Sequence, residues 1–226
     1  MRLSIVVPML NEERAIARTL ASLRAGAPGA EIIVVDGGSR DFSVERARPL
    51  ADRVIQAPRG RARQMNAGAR DAGGEVLAFV HADTLVPPTF ATDIADALRG
   101  PATVGGRFDV ELGDRAFVYR LIGALISLRS RLSRTATGDQ AIFVRRGVFE
   151  SLGGYREIDI CEDLDFARRL KRKGPVACVR TRVVTSARRW RERGVARTVF
   201  TMWAIRLAFL CGVPPARLGR LYADRR

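Results

Sequence analysis

The chain of 226 residues contains little cysteine, almost no histidine and almost no lysine. Cys161, Cys178 and Cys211 stand at wide, irregular spacing. That pattern offers neither a zinc-ligand set nor a disulfide framework, and it points to a reducing, cytoplasmic setting. His81 is the single histidine, so a site built from several imidazoles is excluded. Long hydrophobic runs are missing as well. The most apolar late stretch, residues 198–213, falls short of the ~20 residues that a spanning helix needs and contains Arg206. The opening MRLSIVVPMLNEE has an apolar run too short for a signal peptide, and it meets acids instead of a cleavage site. Repeats, low-complexity tracts and linkers are absent, so a single domain over residues 1–226 is expected. With 47% hydrophobic and 28% charged residues, the composition is that of an ordinary globular domain with one substantial core.

What the sequence does have is arginine. The net charge is +15, and Lys171 and Lys173 are the only lysines. Residues 1–113 carry 14 basic against 14 acidic side chains, whereas residues 114–226 carry 25 against 10, which accounts for the whole excess. Two readings are open: GC-rich coding of solvated cations, or a surface that faces phosphates of an anionic acceptor or of a membrane. Gly/Arg tracts and stacked aromatics are lacking, and nucleic acid is not an expected partner.

The first half alternates apolar runs with helical patterns. LSIVVPML reads as a buried strand, NEERAIARTLASLRAG as an amphipathic helix ended by Gly26, and AEIIVVDGGS as a second buried strand. DRVIQAP, GRARQMNAGARDAGG and EVLAFVHAD follow as short strand, helix and third buried strand. Apolar strands separated by helices predict a mostly parallel sheet covered on both faces. In such sheets ligands bind beyond the carboxyl ends of the strands, where Asn11 and Glu12, Asp36, and His81 with Asp83 fall in succession. In the second half, TVGGRFDVEL predicts a strand, residues 114–134 a basic amphipathic helix, and GDQAIFVRRGVFESLGGY a strand turning into a short helix. CEDLDFARRLKRKG predicts a helix with acids in its first turn and bases in its last, as the helix dipole favours. VACVRTRVVTSARRW is strand-like, and a C-terminal helix breaks at Pro214-Pro215.

Taken in order, VVPMLNEE, VVDGGSRD, HADT, GDQAIFVRR and CEDLDFARRL resemble family 2 glycosyltransferases, inverting enzymes of the GT-A fold. The resemblance covers residues 3–190. It implies an α/β, Rossmann-like, mostly parallel sheet flanked by helices. A donor half at 1–113 and an acceptor half at 114–190 would be followed by a C-terminal helical extension at 191–226. The implied reaction moves a sugar from a nucleoside diphosphate, UDP by expectation, to a small-molecule or lipid-linked hydroxyl. Such chemistry needs a divalent cation and arginines for the leaving diphosphate, and a separate carboxylate to take the acceptor proton.

By the same resemblance, the backbone at Pro8 and the side chains of Asn11, Glu12 and Asp36 would cradle the nucleoside, with Asp36 reaching the uracil imide. Arg63 and Asn66 would approach the phosphates from the third helical segment, and Arg188 or Arg189 the leaving diphosphate. HADT stands where the family usually has Asp-x-Asp, so Asp83 would bind Mg²⁺ or Mn²⁺. His81, in place of the first acid, would touch the metal or the ribose, and an imidazole there favours Mn²⁺ or softer ions. Asp163 would be the general base, with Glu162 shaping the acceptor site. Asp139, Gln140 and Trp190 would contact sugar or acceptor. TSARRW loosely resembles the Gln-x-x-Arg-Trp signature of processive relatives without its glutamine, and processive synthesis is not expected. The tail is similar to a small bacterial subgroup associated with radical enzymes and arsenosugar biosynthesis. The basic helix and the apolar C-terminal helix could serve a membrane leaflet, the acceptor site or a homodimer face, so the expected location is the cytoplasm or the inner membrane surface. Two rivals remain at this level: a nucleotidyltransferase, which would want a Gly-rich loop with lysine after the first strand, and a non-catalytic basic binding protein.

Overall fold

A computed structural model describes residues 1–223, with side chains described through Gly219. In chain order the elements are β1 (Leu3–Met9), α1 (Ile16–Gly26), β2 (Glu31–Asp36), α2 (Ser43–Ala47), β3 (Arg53–Gln56), α3 (Arg61–Asp71) and β4 (Val76–Phe79). They continue with β5 (Thr84–Leu85), α4 (Phe90–Ala97), β6 (Gly105–Leu112), α5 (Phe117–Ser133), a 3-10 turn (Gly138–Gln140), β7 (Ile142–Arg145) and α6 (Arg146–Ser151). The remainder is α7 (Glu162–Lys173), β8 (Val176–Thr185), α8 (Arg188–Arg193), α9 (Val195–Leu210) and α10 (Pro215–Ala223).

One eight-stranded sheet runs in the order β3-β2-β1-β4-β7-β6-β8-β5. Its first four strands are mutually parallel, as expected of continuous apolar runs that helices cover on both faces. β7 then enters antiparallel between β4 and β6, β8 returns parallel to β6, and the two-residue β5 closes the far edge antiparallel to β8. The strand order reverses between β1 and β4, with β2 and β3 on one side of β1 and β4 on the other, and the carboxyl ends at such a reversal are where open α/β sheets bind ligands.

Two apolar layers sandwich the sheet. On one face Ile5, Val7, Ile32 and Val34 meet Ile16, Leu20 and Leu23 of α1, with Phe90 and Phe108 stacked at 4.8 Å between ring centres. On the other, Val6, Ile33, Val35 and Leu77 meet Met65 and Ala69 of α3 and Leu170 of α7. Each fully buried aliphatic or phenylalanine side chain here contributes about 1.5–3 kcal/mol relative to exposure. α3 packs closely because of Gly68, where a Cβ would stand 2.4 Å from Val6 Cγ1. β6 carries a buried charge cluster: Arg107 Nη1 and Arg131 Nη2 both donate to the Asp109 carboxylate. Among the described residues no helix is long and apolar enough to cross a membrane.

Candidate functional site

The carboxyl ends of β1, β2 and β4 open onto one crevice, and their loops are tied together by polar contacts. Asn11 takes a left-handed conformation, its Oδ1 accepts from the Arg40 amide at 2.9 Å, and its own N–H donates to Ser39 Oγ at 2.9 Å. Asp36 is 1% exposed, and its carboxylate accepts from the amides of Gly38 and Ser39 at 3.0–3.2 Å. It shapes the loop after β2 while keeping lone pairs in reserve. Pro8 lies in β1, in register with Val35 of β2. Beneath these loops Gln64 of α3, buried at 3% exposure, donates through Nε2 to the carbonyls of both Met9 and Val35 at 2.8 Å. It staples the last turns of two strands.

A first carboxylate centre stands at Glu12 and Asp83. Glu12 Oε1 accepts from Arg188 Nη2 at 2.7 Å, while Oε2 is buried without a partner. Burial, with the neighbouring Asp83 charge adding to it, raises the Glu12 pKa against the pull of Arg188. Burial likewise raises that of Asp83, opposed by the charges of Arg188, Arg61 and Arg189. Three arginines, from α3 and α8, thus converge on these acids. Among the described residues no three His, Cys, Asp or Glu groups form a ready-made metal cage. A small hard cation needs none, because Mg²⁺ and Mn²⁺ are held by one or two carboxylates plus substrate phosphates. The partnerless Glu12 Oε2 beside Asp83 fits that mode of binding.

A second centre forms where α7 begins. Glu162 and Asp163 open that helix after Cys161, whose left-handed conformation (φ 64°) turns the chain into it. Asp163 Oδ2 accepts from the Gly138 amide at 2.6 Å. Glu162 is 5% exposed, and burial followed by the Asp163 charge pushes its pKa up to about 7, while Arg61 at 3.8 Å holds it back. His81, Gly138, Glu162, Asp163, Tyr155, Met65, Phe79 and Ile142 line one cavity. Burial, then the charges of Arg61 and Arg189, push the His81 pKa down to about 3. The imidazole is therefore neutral at physiological pH, and it packs on Gly138 within the second centre. Arg61 is felt by both centres and stands between them.

Several expected contacts are placed otherwise. Gln140 does not face a sugar: it is 0% exposed, and its amide accepts from Ser130 Oγ and the Thr137 amide and donates to the Phe108 carbonyl. Trp190 is 7% exposed and belongs to the apolar layer around α1, so it is packing and not an acceptor contact. Asn66 bonds the backbone of Tyr155 at both ends, 2.8 and 2.9 Å, and holds that aromatic in the cavity wall. Arg63 pairs with Glu157 at 3.3 Å, away from the acids, while Arg61, two residues earlier, turns toward them. Helical geometry explains this, since residues two apart lie on opposite faces. Arg189 does approach Asp83 and His81. Asp139 lies near Asp163, with Oδ1 buried and unpartnered, and burial raises its pKa. Gln64 is the site residue that the motifs do not single out, and Arg61 stands in a motif that points instead to Arg63. A glutamine between small residues on the sheet-facing side of α3 was the one available signal for Gln64.

Glycosyl transferase family 2 matches residues 4–153 of this chain. A PGL/p-HBAD biosynthesis glycosyltransferase of Mycobacterium tuberculosis is 32% identical over 178 residues, covering 72% of this chain and 67% of that protein. The undecaprenyl-phosphate 4-deoxy-4-formamido-L-arabinose transferase of Pseudomonas paraeruginosa is 26% identical over 169 residues, 68% of this chain and 50% of that enzyme. The chain spans half or less of the length of several such relatives, 24% for a validoxylamine A glucosyltransferase of Streptomyces hygroscopicus. Among solved structures, a mannosyltransferase of Pyrobaculum calidifontis in complex with GDP-Man and Mn²⁺ superposes with a TM-score of 0.66 at 22% identity, over 92% of this chain and 61% of that one. Glucosyl-3-phosphoglycerate synthase of Mycobacterium tuberculosis, in complex with Mn²⁺, UDP and glucosyl-3-phosphoglycerate, gives 0.63 at 23%, over 94% and 81%. These likenesses establish the GT-A architecture, and together with the match over two thirds of its length they make this chain a member of glycosyl transferase family 2.

Proposed function

We propose that the chain is a metal-dependent inverting glycosyltransferase that moves a sugar from a UDP-sugar to an acceptor hydroxyl, with Asp163 as the base. The observation that carries this reading is the pair of separate carboxylate centres, Glu12 with Asp83 and Glu162 with Asp163, set on either side of Arg61. Transfer with inversion asks for that division of labour: one acid for the diphosphate end and another for the incoming nucleophile. The solved neighbours named above hold Mn²⁺ with GDP-Man or UDP, which supports the donor class.

In the reaction so read, the acceptor oxygen attacks the anomeric carbon while its proton passes to Asp163. The carbon–oxygen bond to the diphosphate breaks, and the released charge is met by Arg188, Arg189 and Arg61. The Gly138 amide fixes the Asp163 carboxylate through Oδ2 and the Leu164 amide holds it through Oδ1, so the proton is taken by a remaining lone pair of an oriented carboxylate. Neutral His81 adds no charge repulsion beside the developing oxocarbenium ion. A divalent cation at Asp83 and Glu12 would supply Lewis-acid stabilisation to the leaving diphosphate.

Two exposed apolar faces support a place of action at a lipid surface. Phe117, Leu121, Leu125, Leu128 and Leu132 recur along α5, and Phe200, Trp203 and Leu207 along α9, all at least 46% exposed. Exposed Arg115, Arg120, Arg134 and Arg197 stand among them. An apolar stripe edged by cations suits an anionic leaflet. This supports a lipid-linked acceptor, the class that the Pseudomonas relative is named for.

Thermal unfolding with UDP and Mn²⁺ tests the donor reading, because binding raises the melting temperature by mass action. Wild type should shift and Asp83→Ala should not; no shift with any nucleotide in either metal would end this reading.

A further inference from the structure

Two arginines beside Asp163 are left over by the mechanism. Arg129 reaches inward from α5, where the neighbouring Ile126 and Ser130 are buried. Its Nε and Nη2 are closed off from solvent and have no hydrogen-bond partner. Arg206 comes from α9, on a different part of the chain, and is half-buried, anchored through Nη2 to Thr135 Oγ1 at 3.2 Å. Burial and then the charge of Arg206 pull the Arg129 pKa down, and burial does the same to Arg206. The acids that oppose this are Asp139 and Asp163 for Arg129, and Asp163 for Arg206. Among the described residues neither arginine forms an ion pair with these acids within 4.0 Å, although Asp139 Oδ1 is itself buried and unpartnered.

Unpaired buried guanidinium donors are expensive, and two cations brought together make the expense greater. Native sites keep such an arrangement where a ligand completes it. Here the unfilled groups are guanidinium donors plus one carboxylate acceptor, next to the carboxylate read as the base. They call for a ligand with oxyanion oxygens and a hydroxyl proton. A phosphate, with three oxygens, can satisfy guanidiniums arriving from two helices, whereas one carboxylate fits a single planar fork.

We propose that Arg129 and Arg206 form an anion subsite that holds a phosphate group of the acceptor and thereby presents its hydroxyl to Asp163. This rests on the reading of Asp163 as the acceptor-side base and adds the acceptor's chemistry: it is a phosphorylated alcohol, in free form or as a lipid headgroup. Arg206 is a binding residue contributed by α9, which gives that helix a part in substrate selection.

Inorganic phosphate is the probe, titrated calorimetrically into the full chain saturated with UDP and Mn²⁺ so that the diphosphate site is already filled. Saturable binding is expected in wild type, weakened about tenfold or more in Arg206→Gln, as loss of a charge-assisted bond entails. Arg206→Lys should recover part of that loss, Arg129→Gln should weaken binding in the same direction, and UDP affinity should stay unchanged in Arg206→Gln. Equal phosphate affinity in wild type and both glutamine variants, or no phosphate binding by wild type, would overturn the subsite. Failure of UDP to bind would count against the donor reading alone, and phosphate titrated without nucleotide would then still report on Arg206. Flotation with phosphatidylcholine vesicles, with and without phosphatidic acid, separates the sources. A phosphatidic-acid-dependent binding that drops in Arg206→Gln assigns a lipid phosphate, and vesicle binding unaltered while free phosphate binding falls assigns a soluble one.

Discussion

His81 Nε2 lies 2.6 Å from the point where a Cβ on Gly138 would stand, and the Asp163 carboxylate is 3.5 Å from that same point. The imidazole, the glycine and the proposed base therefore form one tight contact, in which the absence of a side chain at 138 sets the position of the other two. Gly138→Ala should displace the ring and disturb Asp163, at a cost of about 1–3 kcal/mol from overpacking and with a lowered kcat. Removing the ring relieves the clash, so the His81→Ala/Gly138→Ala double variant should be more stable than the sum of its singles predicts. Denaturant melts of the four proteins give the coupling, and strict additivity would sink this account.

Asp163→Asn separates proton acceptance from positioning. An asparagine Oδ1 can still accept from one of the two backbone amides that hold the carboxylate, Gly138 or Leu164, but it cannot take the acceptor proton. kcat should fall about 10²–10⁴-fold while UDP affinity, read by titration, is preserved. A variant working at the wild-type rate would leave the reaction without this base.

Glu162 makes the fold pH-sensitive. Its pKa is raised on folding, from 4.5 to about 7, so the native state binds the proton more tightly than the unfolded chain. Stability from this group is present below about pH 4.5 and is lost as the pH climbs through about 7. Glu162→Gln stays neutral, so its melting temperature should fall less than that of wild type between pH 5 and pH 8. Parallel curves for the two proteins would show that the carboxyl does not titrate in this window.

Much of this arrangement is legible in the sequence, and the limits are physical. The apolar runs of β1, β2 and β4 fix a covered parallel half, and the acids that follow them fix the edge where ligands meet. The antiparallel entry of β7 between β4 and β6 is not legible, because a strand's partners depend on long-range pairing and not on its own pattern. Gln140 illustrates the same limit in a side chain. Beside Asp139 it reads as a sugar contact, yet Ser130, ten residues away on α5, buries its amide. Arg61 and Arg63 cannot be told apart by composition; the phase of α3 decides which reaches Glu162. The leftover donors of Arg129 become visible only once Asp139 and Asp163 stand nearby.

The Arg107–Asp109–Arg131 cluster offers a test of the frame itself. Arg107 is 1% and Asp109 2% exposed, so Asp109→Ala strands a buried guanidinium, at about 3–5 kcal/mol. Urea melts should register the loss in the midpoint, with nucleotide affinity unchanged in the protein that remains folded. A loss under 1 kcal/mol, on the order of an exposed pair, would mean that the cluster is solvated.

The contact between Glu12 and Arg188 joins residues 176 positions apart in the chain, and β5 finds β8 across about a hundred. Contacts of such range form late, since the loop they close must first be paid for in entropy. During synthesis the amino-terminal strands can pair and bury their faces while the ribosome is still making α7. The first acid centre, however, has no Arg188 until α8 has emerged. A nascent chain would thus hold a paired amino-terminal part of the sheet while the edge at its first acid centre stays open until α8 arrives.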